Sequence, residues 1–103
     1  MKHLLFSKLR GVMHTQPIIA ELHAGQELFF VREPSNPYDC NCIAVNSTAG
    51  RVGYIARELA VTLAPIIDDG THLRCFVSAI TGGGEGQYYG VNIEVYIAKK
   101  EGD

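Results

Sequence analysis

Pro34 and Pro37 stand three residues apart near the middle of the chain, between the apolar runs Leu28 to Val31 and Cys42 to Val45. Each ring fixes φ at about −65°, removes an N–H donor and pushes the preceding residue out of the helical region, so neither helix nor central strand can pass through. The segment Arg32-Glu33-Pro34-Ser35-Asn36-Pro37-Tyr38-Asp39-Cys40-Asn41-Cys42-Ile43 must therefore be a connection. Asn36 and Asp39 are residue types that hydrogen-bond nearby backbone and stiffen it further. Such a loop can present the Tyr38 ring and the Asp39 carboxylate in one geometry. Taken alone, it reads equally well as a sound turn between two strands.

The flanking sequence reads as strands with one helix. Residues 4–14 mix apolar and basic side chains as a first strand, with Gly11 marking a bulge or close backbone approach, and Thr15-Gln16-Pro17 ends it. Ile18 to His23 has the spacing of one or two helical turns behind a favourable proline. Gln26 to Glu33 and Cys42 to Val45 follow as strands, then Asn46 to Gly50 as a turn and Arg51 to Ile55 as the return strand. The clearest helix covers Ala56 to Ile67, with Leu59, Leu63, Ile66 and Ile67 on one face. Pro65 should kink it or split off its last turn. Leu73 to Ile80 is a fifth strand, Thr81 to Gly86 a glycine-rich hairpin tip, and Val91 to Ile97 a sixth strand of strict alternation. Lys99 to Asp103 reads as a polar tail. The pattern predicts one α+β domain over 1–103, mainly β: a small, bent OB-like or SH3-like barrel of about six strands. Its main helix falls between strands four and five, with a short helix after strand one.

Composition narrows the function. The net charge is −2, whereas proteins that wrap duplex DNA carry a basic surplus, because phosphate neutralisation supplies most of their affinity. Any nucleic-acid role must be local, with few phosphate contacts. Three cysteines and four histidines show neither a CxxC nor a His-x₃₋₅-His spacing, so no zinc site and no cofactor are expected. Cys40 and Cys42 would share one face of a strand, with Cys42 and Cys75 as small buried residues. No window approaches the roughly 18 apolar residues that would span a membrane. Only Leu4-Leu5-Phe6 is apolar before Ser7, too short for a signal peptide, so a cytoplasmic location is expected.

The run Arg32-Glu33-Pro34-x-Asn36-Pro37-Tyr38-Asp39-x-Asn41-x-Ile43-x-Val45, then Val52-Gly53-Tyr54-Ile55 and a helix ending Ile66-Ile67-Asp68-x-Gly70, resembles the HIRAN domain family. The resemblance covers residues 9–98, and suits a stand-alone bacterial or phage member. The family is a modified OB-like barrel found on eukaryotic helicase-like proteins and, in bacteria, both alone and fused to other domains. Its eukaryotic members bind the 3′ end of single-stranded DNA.

By that resemblance Tyr38 stacks on the terminal base, Asp39 accepts from the 3′-hydroxyl, and Asn36 lies beside it as a neutral donor. A carboxylate repels phosphate by about 4 kcal/mol at 4 Å and an effective dielectric of 20, so an acid there selects a free hydroxyl. His14, at the end of the first strand, matches a second stacking position, and Met13 stands where the human member has a phosphate-binding arginine. Tyr54 and Arg57 match positions near the DNA backbone, and Tyr88 or Tyr89 offers another aromatic face. Arg32, Pro34, Pro37 and Asn41 are read as loop-structuring, Arg32 through a carboxylate partner. His3, His23 and His72 read as surface residues. The resemblance implies a DNA-binding module without catalysis, working on single-stranded DNA 3′ ends, with a separate helicase or nuclease as a possible partner and an oligomeric state that the sequence does not specify. A protein-interaction scaffold that kept the fold is the alternative reading. A small hydrolase or nuclease is a remoter one, for which no nucleophile is placed.

Overall fold

The computed structural model describes residues 1–98; the polar tail expected at 99–103 lies outside them. Six strands are laid down in chain order: β1 (Lys2–Lys8), β2 (Glu27–Arg32), β3 (Ile43–Ser47), β4 (Gly50–Tyr54), β5 (Leu73–Gly82) and β6 (Tyr89–Ile97). Two helices accompany them, α1 (Gln16–Ile19) after a 3-10 turn at Val12–His14, and α2 (Arg57–Asp68) between β4 and β5. The sheet order is β1-β6-β5-β2-β3-β4, with antiparallel pairing between neighbouring strands.

The bend of a barrel lies in β2. Its first residues pair with β5 (Glu27 with Phe76, Leu28 with Cys75), and its later ones pair with β3 (Phe29 with Asn46 through Arg32 with Ile43). One strand thus serves two sheets. The ends meet just past β1: the Arg10 N–H donates to the Tyr54 carbonyl and the Tyr54 N–H to the Arg10 carbonyl, each at 2.8 Å. That exchange joins β1's continuation to β4 and closes the ring. Gly53 makes the approach possible, since a Cβ there would lie 2.7 Å from the Arg10 carbonyl oxygen.

Leu28, Ile43, Val45, Val52, Cys75, Val77, Val91, Ile93 and Val95 fill the interior. Ala60, Leu63 and Ala64 of α2 join them at helical spacing.

Several boundaries differ from the sequence expectation. The first strand stops at Lys8, because Gly11 takes the left-handed conformation (φ +70°) and turns the chain into the 3-10 turn. His14 is therefore on that turn and not at a strand end. α1 starts at Gln16, since the Thr15 carbonyl already accepts from the Ile18 and Ile19 N–H groups, and His23 lies beyond it. β3 runs on through Asn46 and Ser47, leaving only Thr48 and Ala49 in the turn. Pro65 does not split off the last helical turn: α2 continues to Asp68 with the exposed proline inside it. Cys40 and Cys42 share no strand, as both precede β3. Cys75 is fully buried, and burial pushes its thiol up to about 12.

Candidate nucleic-acid interface

The loop between β2 and β3 is built by its own side chains. The Asn36 carbonyl oxygen accepts from the Tyr38 N–H at 2.8 Å and the Asp39 N–H at 3.2 Å, and Asp39 Oδ1 accepts from the Asn41 N–H at 2.9 Å. The Glu33 N–H closes the loop base on the Cys42 carbonyl at 3.0 Å. Arg32 clamps one side: it donates to the Cys42 and Cys40 carbonyls (2.8 and 3.0 Å) and makes a forked pair with Asp68 (2.9 and 3.0 Å). The guanidinium holds the Asp68 carboxyl below its ordinary range through those hydrogen bonds. Arg57, in the first turn of α2, holds the other side by donating to the Tyr38 carbonyl at 2.9 Å.

This scaffold leaves two groups presented. Tyr38 is 85% exposed, and its backbone is held by Asn36 and Arg57. Asp39 is the opposite, with its side chain only 18% exposed, Oδ1 spent on the loop and Oδ2 standing 3.7 Å from Arg57 Nε. The shielded Asp39 carboxylate thus lies next to an exposed tyrosine. The two border a groove of about 430 Å³ whose other walls include Tyr54, Arg57, Arg10 and Glu58.

Tyr54 and its surroundings form a second layer. Its hydroxyl accepts from Arg51 Nη1 at 2.6 Å, and the same guanidinium lies 5.1 Å from its ring centroid. Arg51 also donates to Asn46 at 2.7 Å and pairs with Glu33 at 3.1 Å. Glu33 in turn accepts from the Cys42 thiol at 3.5 Å, and that thiol is raised mainly by burial.

The structure therefore brings Asn36, Tyr38, Asp39, Tyr54 and Arg57 to one groove. Asn36 is largely spent inside the loop, with its amide nitrogen 3.4 Å from Glu33, so its contribution to a ligand is at most one N–H. Met13 and His14 are exposed on the 3-10 turn but are not in the groove wall. Tyr88 sits at the hairpin tip beside Gly86 and Gln87. Tyr89 is the first residue of β6, its ring over Gly83 and its backbone held on both sides by Gln16 (2.8 and 3.0 Å). Neither tyrosine lines the groove. Sequence reasoning missed Arg10, Arg51 and Glu58, whose only signal was charge just past β1, within β4 and in the first turn of α2. Among the described residues no three His, Cys, Asp or Glu side chains gather as a metal site, and no helix is long and apolar enough to cross a membrane.

A closed six-stranded antiparallel barrel, with one helix between its fourth and fifth strands and a rigid Tyr-Asp loop over a groove, defines an OB-like domain of a specific kind. The HIRAN domain family model matches residues 4–100, and the chain belongs to the HIRAN domain family. The helicase-like transcription factor of Oryctolagus cuniculus is 41% identical over 68 residues, a match that takes in 64% of this chain and 7% of that protein. The crystal structure of the HIRAN domain of human HLTF superposes with a TM-score of 0.70 at 27% identity, over 94% of this chain and 77% of that one. An NMR structure of the HLTF HIRAN domain in its DNA-bound conformation shares the fold, with a TM-score of 0.62 at 24% identity over 97% and 80% of the two chains.

Proposed function

We propose that this domain binds the 3′-hydroxyl end of single-stranded DNA in the groove beside the β2–β3 loop, without catalysis of its own. The observation that carries the reading is the pairing of a largely exposed Tyr38 with the shielded Asp39 carboxylate, whose Oδ2 has a 3.7 Å charge contact with Arg57 and no hydrogen bond among the described residues. A terminal base stacks on the ring, which is worth about 1–3 kcal/mol. The sugar hydroxyl donates to Asp39 Oδ2. A 3′-phosphate or a continuing strand would set like charges together at that oxygen, at a cost of about 4 kcal/mol at 4 Å and an effective dielectric of 20. The Arg51-supported Tyr54 lies in the wall of the same groove, and Arg57 holds the loop through the Tyr38 carbonyl and Asp39. The DNA-bound conformation recorded for the HLTF HIRAN domain supports the class of ligand. A helicase or nuclease working on the same strand is the natural partner of such an end reader.

Fluorescence anisotropy with short oligonucleotides tests this. Binding in the micromolar range, weakened at least tenfold by a 3′-phosphate, is expected, and Asp39→Asn should shrink that difference. Equal binding of the two ends would overturn it.

One observation favours a second reading. On the outer face of the barrel, His3 lies 4.4 Å from Phe6 and 5.2 Å from Tyr96 by ring centroids, and Tyr96 lies 5.7 Å from Phe76. An aromatic row of this kind suits a protein-interaction module. DNA-independent capture of a partner that is lost in Phe6→Ala, with no binding to either DNA end, would favour it.

A further inference from the structure

Arg10 belongs to the groove, yet neither the loop nor the core uses its side chain. Its backbone exchanges both hydrogen bonds with Tyr54 across the barrel's closure, and directly opposed residues of an antiparallel pair point to the same face. The Arg10 side chain is therefore held beside Tyr54 at the groove. Its side chain is 67% exposed, and its guanidinium has one charged partner among the described residues, Glu58, at 3.8 Å, whose side chain is 76% exposed. At that separation the two share a charge pair without a hydrogen bond, and an exposed pair of this kind holds weakly. A phosphodiester offers the same guanidinium forked, charge-assisted hydrogen bonds, which are stronger.

We propose that Arg10 is the phosphate-binding residue of this groove, parked on Glu58 when the groove is empty and transferred to a backbone phosphate of the bound strand. The proposal rests on the end-binding reading above and assigns the contact that reading lacks. Met13 supplies no charge at the position where a cation was expected, and Arg57 is already engaged with the Tyr38 carbonyl and Asp39. Glu58 then acts as a brake, because its carboxylate is left facing the phosphate that displaced it.

The test uses a 3′-hydroxyl oligonucleotide and a salt series. Each phosphate contact on a single strand adds about 0.7 to the slope of log K against log salt, so Arg10→Ala should lower the slope by about that amount and weaken binding about fivefold at low salt. Arg10→Lys should keep the slope, and Glu58→Gln should tighten binding about twofold. Oligonucleotides carrying one uncharged methylphosphonate linkage, moved stepwise from the 3′ end, locate the phosphate. At one position the substitution should weaken the wild type as much as Arg10→Ala does, and should not weaken the Arg10→Ala variant further. Arg10→Gln, which keeps most of the stem, gives the same readout should the alanine variant be destabilised. Wild-type affinity and slope in both Arg10→Ala and Arg10→Gln would overturn the assignment while leaving end recognition standing. Absence of wild-type binding to any 3′-hydroxyl strand would remove both.

Discussion

Tyr38 and Asp39 are neighbours in sequence and opposites in environment. The ring is open to solvent and the acid is shielded, and the difference comes from Asn36, whose carbonyl takes both of their N–H groups. Because Tyr38 is 85% exposed, Tyr38→Ala should leave the melting temperature nearly unchanged. The same substitution should cost roughly 1–3 kcal/mol of DNA affinity, the value of one stacked base. Anisotropy and thermal melting on the same samples check this, and Tyr38→Phe should bind like the wild type. This part of the site was legible because asparagine and aspartate at short separations act on their own backbone. Arg10 and Arg51 were not, since the partners that give them meaning come from β4, α2 and the loop base. Local patterns carry no such information.

At the scale of elements, Arg32 ties the loop to the last turn of α2 through Asp68. Asp68 ionises more readily in the folded protein than in the unfolded chain, because Arg32 hydrogen-bonds its charged form. Its stabilising contribution is therefore fully present above the unfolded value, and is lost as pH falls through the depressed folded value. Urea unfolding of wild type and Asp68→Asn should differ at neutral pH and converge in acid. The closure of the barrel has its own test. Gly53→Ala sets a Cβ against the Arg10 carbonyl and should destabilise by about 1–3 kcal/mol in the same measurement, as overpacking does. All six strands and α2 were legible from apolar periodicity and turn chemistry. Their ends were less so: Gly11 reads locally as a bulge or a close backbone approach, and the turn that the chain makes there was not foreseen.

For the molecule as a whole, a net charge of −2 fits the proposed reader of strand ends better than a protein that coats DNA, because such a reader needs few cations. The barrel itself was legible as a class, from six short strands and one helix. Its closure was not, because β2's change of partner and the Arg10–Tyr54 exchange are long-range pairings that no local pattern encodes. That closure brings the continuation of β1, the β2–β3 loop and the start of α2 to one side. On the proposed function this side, and not the outer aromatic row, receives the 3′ end. Titrating ¹⁵N-labelled protein with a short 3′-hydroxyl single strand tests it most directly. Amide shifts confined to Leu9–Gly11, Asn36–Asn41, Tyr54 and Arg57–Glu58 are expected. Shifts centred on His3, Phe76 and Tyr96, or none at all, would contradict it.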